Sequence, residues 1–230
     1  MVYPESCPIC SEPLRSWESK MCESCRQTLC ELRKPLCRLC ACELPPFSNL
    51  RMCQNCRRTK HYVNQTWSLY AYNDSMKKLF HLIKFKRKRT LLHIFEQEIK
   101  RFAEETSLPS FDCLIPIPLD WKKKWERGFN QSNILASFLK SFLNCPIQEW
   151  LKKRKATPAQ SLLAKRDRER NLLNSFRVAH SNRLDGKNVL LVDDIYTTGT
   201  TVNECARILK GNGACTVSVF TVARAGSNWN

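Results

Sequence analysis

The chain is poor in long hydrophobic runs, in glycine-rich phosphate loops and in negative charge, and each shortage excludes something. No stretch reaches the roughly 18 consecutive apolar residues that a membrane-spanning helix requires, so no membrane insertion is expected. The opening "MVYPESCPIC" lacks the apolar block of a signal peptide, and the expected compartment is the cytoplasm. No G-x-x-x-x-G-K-[ST] occurs, which removes a Walker A nucleotide site. G-x-G-x-x-G is missing too, because Gly211 and Gly213 follow a predicted helix rather than a strand. Acidic residues number 21 against 38 basic ones, a formal net charge of +17. Such an excess suits a polyanion, because Lys and Arg that neutralise phosphates release counterions on binding.

What is abundant is cysteine. Fourteen are present, and eight of them form four C-x-x-C pairs within the first 56 residues. Without an export signal the thiols are expected to be reduced, which makes disulfides the weaker explanation. "CPIC" (Cys7, Cys10) and "CRLC" (Cys37, Cys40) are offset by 30 residues, and "MCESC" (Cys22, Cys25) and "MCQNC" (Cys53, Cys56) by 31. Met21 and Met52 fall in the same register. A segment of about 30 residues thus occurs twice, each copy with two C-x-x-C turns. One such turn converges two thiolates on an ion and a second completes a tetrahedral set, so the spacing predicts two structural Zn²⁺ sites. Each copy is too small to bury a core, and metal binding would supply much of its folding energy. Pairing within each copy is favoured and crossed pairing stays open. Cys30 and Cys42 are unassigned. Cys113, Cys145, Cys205 and Cys215 lie in apolar surroundings and are expected in the core.

After "RRTKHYV" cysteines thin out and periodic apolar patterns begin, which divides the chain into residues 1–62 and 63–230. "QTWSLYAYN" reads as a strand, and "SMKKLFHLIKF" as a helix with Met76, Leu79, Phe80 and Ile83 on one face. A second helix is predicted over "TLLHIFEQEIKRFAEE" and a short buried strand in "FDCLIPIPL". "NQSNILASFLKSFL" is helical, capped by Asn130 or Ser132. "NVLLVDD" is a strand, "TVNECARILKG" a helix and "CTVSVFTVA" a last strand. Strands alternating with helices imply an α/β fold with a parallel sheet, whose binding crevice lies beyond the carboxyl ends of the strands.

"VLLVDDIYTTGTT", residues 189–201, falls at one such end. A tight loop with one glycine leads directly into a helix N-terminus, where backbone N–H groups and threonine hydroxyls can hold a phosphate. Asp193 and Asp194 just before it would repel a polyphosphate but suit vicinal hydroxyls. The ligand implied is a ribose 5-phosphate, with Thr197, Thr198, Gly199, Thr200 and Thr201 around its phosphate. This run resembles the phosphoribosyl pyrophosphate (PRPP) loop of type I phosphoribosyltransferases.

"IPIPL", "ERGFNQ", "KATPAQSLL", "RERNLLNSF" and the loop, in that order, resemble the ComF/GntX family over nearly the whole chain. The resemblance implies a small N-terminal zinc-binding domain with two four-cysteine sites on a type I phosphoribosyltransferase-like parallel sheet. It implies pentosyl transfer from PRPP with Mg²⁺, through Asp193, Asp194 and Arg127, the last near the pyrophosphate, and leaves open whether transfer occurs. Thr157, Gln160, Arg170 and Asn171 match the family's mobile segment. Family members are associated with natural competence, which implies single-stranded DNA as a partner, and a DNA-uptake helicase or another competence protein as a further one. Basic runs suited to the strand are Lys86, Arg87, Lys88 and Arg89, and Lys152, Lys153, Arg154 and Lys155, with "KKK" at 122–124. Phe85, Trp121, Trp125 and Trp150 are candidate stacking groups. Two other functions stay open: a salvage enzyme acting on a free nucleobase, and a PRPP-sensing adaptor without chemistry.

Overall fold

The computed structural model describes residues 6–14, 20–154, 175–179 and 184–226. Lys155, Thr157, Gln160, Arg170 and Asn171 lie outside them. No helix among the described residues is long and apolar enough to cross a membrane.

Four strands form a fully parallel sheet: β1 (Gln65–Ala71), β2 (Cys113–Pro116), β5 (Asn188–Tyr196) and β6 (Thr216–Arg224), in the order β1-β6-β5-β2. Leu190 and Val192 lie beside Ser218 and Phe220, and Ser68 on β1 pairs its hydroxyl with that of Thr221 at 2.7 Å. A central strand buried on both faces needs a continuous apolar run, and Val189 to Val192 supply it. A second, antiparallel pair joins β3 (Leu151–Lys153) to β4 (Phe176–Val178).

The helices follow from spacing and caps. On α3 (Asp74–Phe85) the side chains of Met76, Leu79, Phe80 and Ile83 are buried on one stripe, and the Asn73 side chain accepts from Met76 N at 3.0 Å. Burying one such side chain contributes roughly 1.5–3 kcal/mol, and Phe80→Ala is expected to remove about 3–5 kcal/mol. The helix predicted over 90–105 is in two pieces, a 3-10 turn at Arg89–Phe95 and α4 (Glu96–Glu105). Asn130 caps α6 (Gln131–Leu143) through Ser132 N at 3.1 Å and also donates to Ile117 O, tying the helix start to the end of β2. Between them runs α5 (Trp121–Arg127), which the sequence reading did not pick out. The last helix, α7 (Thr200–Gly211), connects β5 to β6.

The two cysteine repeats straddle the sheet. Cys7, Cys25 and Leu29 of the first join the core beneath α3, α4 and α6, whereas Cys37, Cys40 and Cys56 of the second join the core beneath α7 on the other face. Their short helices are α1 (Glu23–Gln27) and α2 (Gln54–Arg58). The chain connecting them runs along the outer edge of β1, with Ala71 N donating to Cys30 O, Leu32 N to Leu69 O and Thr66 N to Arg38 O at 2.8–3.1 Å. An edge strand that would otherwise present unpaired N–H and C=O groups is thereby covered.

Candidate functional site

At the carboxyl ends of β2 and β5 lies a cavity of about 180 Å³, walled by Lys84, Arg127, Gln131, Asp193, Asp194 and Thr201 among others. Asp194 is buried and already partnered: Lys84 Nζ lies 2.7 Å and Gln131 Nε2 2.8 Å from its Oδ2. Asp193 keeps part of its surface open. Its Oδ1 accepts from Ser132 Oγ at 3.1 Å and from Asp194 N at 2.9 Å. Burial first, then the Asp194 carboxylate beside it, push Asp193 up to about 7 against the pull of Lys84. Two adjacent carboxyls thus share one nearby ammonium, and the more open of the pair holds its proton more tightly than an ordinary aspartate does.

Gln131 is the residue the sequence reading passed over. Its amide is 2% exposed, and because Nε2 must donate to the Asp194 carboxylate, Oε1 faces away from it. That Oε1 is buried and has no hydrogen-bond donor among the described residues. A buried acceptor left unpaired costs about 1–3 kcal/mol.

The loop after β5 is shaped by its glycine. Gly199 sits at φ +80° as the N-cap of α7, and a methyl group there would collide with the Tyr196 hydroxyl. Gly199 has no side chain to cap this helix, and apart from a long bond from Thr200 N to Thr198 Oγ1 at 3.4 Å its first N–H groups are left to a ligand or solvent. Thr198 Oγ1 and Thr200 Oγ1 are 2.8 Å apart. Of the predicted loop residues, Thr201 faces the cavity holding Asp193, Asp194 and Arg127. Thr198, Gly199 and Thr200 line an adjoining cavity of about 250 Å³, whose far wall is Thr59 to Tyr62. Thr197 is exposed, and its carbonyl accepts from Arg224. Asn203, in the first turns of α7, accepts from Tyr62 N at 2.7 Å and donates to Lys60 O at 3.2 Å.

The eight cysteines gather as two sets of four, Cys7, Cys10, Cys22 and Cys25, and Cys37, Cys40, Cys53 and Cys56, with the sulfurs of each set within 4.8 Å of one another. Pairing is therefore within each repeat. The turns repeat in detail: Ser11 N donates to Cys7 O and Ala41 N to Cys37 O, and both Ser11 and Ala41 have positive φ. Although burial raises it, backbone N–H groups of Cys10, Cys22 and Ile9 hold Cys7 down to about 6. Cys37 raises Cys40, but the thiols of Cys42 and Cys56 hold it down to about 6. Four converging sulfurs fit a soft, four-coordinate cation, so both sets can hold a metal ion. Cys42 lies against the second set as a fifth thiol. Cys113, Cys145 and Cys205 are buried as expected, but Cys215 is exposed, because it stands in the turn before β6 rather than within the strand.

Lys86 to Arg89 are exposed beyond the end of α3. Lys152 and Arg154 are exposed, with Lys152 Nζ 3.4 Å from Glu149, while Lys153 turns into the cleft, where burial lowers it. Trp150 is buried, which removes it as a stacking group: its indole fills the core under β3. Phe85, Trp121 and Trp125 are exposed, and the Arg127 guanidinium lies 5.9 Å above the Phe85 ring. Trp121 and Trp125 are one turn apart on α5, amid Lys122, Lys123 and Lys124.

Residues 126–230 match a family described as "Phosphoribosyl transferase domain". The DNA utilization protein YhgH of Salmonella typhi is 32% identical over 97% of this chain and 99% of its own length. The competence protein ComFC of Bacillus subtilis is 30% identical over 90% of this chain and 85% of its own, and competence protein F of Haemophilus influenzae is 29% identical over 95% and 96%. Among solved structures, the glutamine PRPP amidotransferase of B. subtilis is 19% identical, with a TM-score of 0.40, over 57% of this chain and 26% of that one. With relatives at that identity along nearly the full length of both partners, two four-cysteine sets and a parallel α/β sheet, the chain belongs to the ComF family.

Proposed function

We propose that this is a ComF-type protein of DNA utilisation and natural transformation, whose cleft takes PRPP and whose basic, aromatic surface takes single-stranded DNA. The observation that carries the ligand reading is that Asp193 and Asp194 stand together on the wall of one cavity at the strand ends, with Arg127 and Thr201 beside them. Together the two carboxyls ask for neighbouring hydroxyls, and a ribose offers two. The 5′-phosphate then falls to the uncapped start of α7, with the hydroxyls of Thr198, Thr200 and Thr201 around it. Arg127, on the same wall, would face the pyrophosphate, where its planar fork can hold two oxygens. Mg²⁺ would come with the pyrophosphate and neutralise part of its charge. As pyrophosphate leaves, positive charge grows on the sugar ring, and Asp193 and Asp194 would stabilise it while holding the ring in place.

The DNA part draws on the printed names of the relatives, on the +17 charge and on Phe85, Trp121 and Trp125 standing exposed among Lys86 to Arg89 and Lys122 to Lys124. Bases stack on such rings whatever their sequence. Zinc is the reading for both cysteine sets, since four thiolates in a closed tetrahedron are its usual structural site.

The test is calorimetric titration of the zinc-loaded protein with PRPP and Mg²⁺, followed by an assay of pyrophosphate release with and without an oligonucleotide. Binding is expected, and Gln131→Leu, which removes a donor that holds Asp194 in place, should weaken it about tenfold. No heat from the wild type, with ribose 5-phosphate equally silent, would overturn the reading. Gel shifts with oligo-dT should weaken with salt and on neutralising residues 86–89.

A further inference from the structure

Arg224 ends β6 directly beside Tyr196, the last residue of β5. Among the described residues no carboxylate lies within ion-pair distance of it. Its Nε and Nη1 donate to main-chain oxygens instead. Nε donates to Cys40 O at 2.7 Å, and Nη1 to Thr197 O at 2.9 Å, to Tyr196 O at 3.5 Å and to Ala225 O. The guanidinium also lies over the Tyr196 ring, 4.8 Å from its centre. A cation spent on carbonyls fixes backbone rather than balancing charge. Here one guanidinium fixes two pieces at once: the turn of the second four-cysteine set, through Cys40, and the loop that follows β5, through Thr197.

Tyr196 reinforces the link. It belongs to the same core as Cys37, Cys40 and Cys56, and its hydroxyl lies beneath Gly199. On the other side of the loop, Asn203 of α7 holds Lys60 and Tyr62, just beyond Cys56. The loop is thus gripped at both ends by the flanks of the second set. The first set packs on the opposite face of the sheet.

We propose that Arg224 is a positioning residue that clamps the loop after β5 to the second four-cysteine set, so that metal held by that set and PRPP bound at the loop stabilise one another. This rests on the PRPP reading above. Coupling of this kind is reciprocal, so whatever the metal adds to PRPP affinity, PRPP must add to metal retention.

The test compares wild type with Arg224→Lys, which keeps the charge but cannot reach three carbonyls with a rigid fork, and with Cys56→Ser as the same lesion made from the metal side. Two readouts are taken on full-length, zinc-loaded protein: PRPP–Mg²⁺ affinity by calorimetry, and zinc release to a coloured chelator with and without PRPP. PRPP should slow the release of one of the two zinc ions from wild type and of neither from Arg224→Lys. Both variants should bind PRPP about tenfold more weakly, within the usual range of coupling between sites. Arg224→Lys should also retain two zinc ions and the wild-type far-ultraviolet spectrum, which separates a lost clamp from a lost fold. Wild type that binds PRPP while Arg224→Lys binds it equally well, with zinc release indifferent to PRPP in both, overturns the clamp alone. Wild type that is itself silent to PRPP overturns the ligand reading, and the coupling with it.

Discussion

Replacing Asp193 with Asn should make the ligand-free protein more stable at alkaline pH and much worse at binding PRPP. In the folded chain the carboxyl is raised from 3.8 to about 7, by burial and by Asp194. A group raised in this way favours the folded state while it keeps its proton. Its contribution is complete below the unfolded value near 3.8 and is lost as pH rises through 7. At about 1.4 kcal/mol per pH unit the full penalty on ionisation is about 4 kcal/mol. Part of the residue remains open to solvent, so we expect roughly half of it, about 2 kcal/mol, to be recovered by the amide. Asn can still accept from Ser132 Oγ and Asp194 N, the two bonds Oδ1 makes now, so little is lost in exchange. Urea unfolding of zinc-loaded protein at pH 5.5, 7 and 8.5 measures this. Wild type should lose stability relative to Asp193→Asn chiefly between pH 5.5 and 7, with the gap smallest at pH 5.5 and level above 7. Calorimetry at pH 8 should show PRPP affinity reduced by about tenfold to a hundredfold, the loss of a charge-assisted hydrogen bond to the sugar. Parallel pH profiles for the two proteins would mean that the carboxyl ionises normally, and would refute the picture of two acids sharing one lysine.

Trp121→Ala with Trp125→Ala should weaken oligo-dT binding by about 1–3 kcal/mol per stacked base in a fluorescence titration, while PRPP affinity stays at the wild-type level. Gly199→Ala places a methyl group against the Tyr196 hydroxyl at φ +80°, so thermal unfolding should show a loss of at least about 1 kcal/mol. Its PRPP titration should fail even at temperatures where the chain remains folded. An unchanged titration would mean that the loop is not the phosphate seat.

The strands, most helices and both cysteine sets were legible because each is a local pattern. The repeat offset favoured pairing within each copy, which the gathered sulfurs bear out over crossed pairing, and the helical spacing of apolar residues on α3 gave its face. Asp193 and Asp194 were visible as acids at a strand end. What they meet was not, because Lys84, Gln131 and Ser132 arrive from α3 and α6, and only the sheet order brings those helices over β5. Asp194, read as open to a sugar, is therefore already held by Lys84. The same limit hid Arg224, whose partners are carbonyls and leave no trace in side-chain sequence. Trp150 and Trp125 both stand near lysines, yet one is core and the other surface. Trp150 directly precedes β3, and three residues of strand are too few to show a period that would mark it as buried. The seven-residue α5 escaped notice for the same reason: it buries none of its side chains, so no apolar stripe announces it.

The duplicated cysteine segment does not hang from the rest like a bead on a string. It closes over one margin of the sheet as a clip closes over a stack of paper, one copy gripping each side and the connecting chain running down the spine. Cutting the protein at residue 62 would therefore not yield a tidy catalytic fragment. It would strip oily surface from both sides together and bare the outer strand's backbone to any passing strand, and such a fragment should clump. Point changes at the sulfurs, with the chain left whole, are the way to ask what this part of the molecule does.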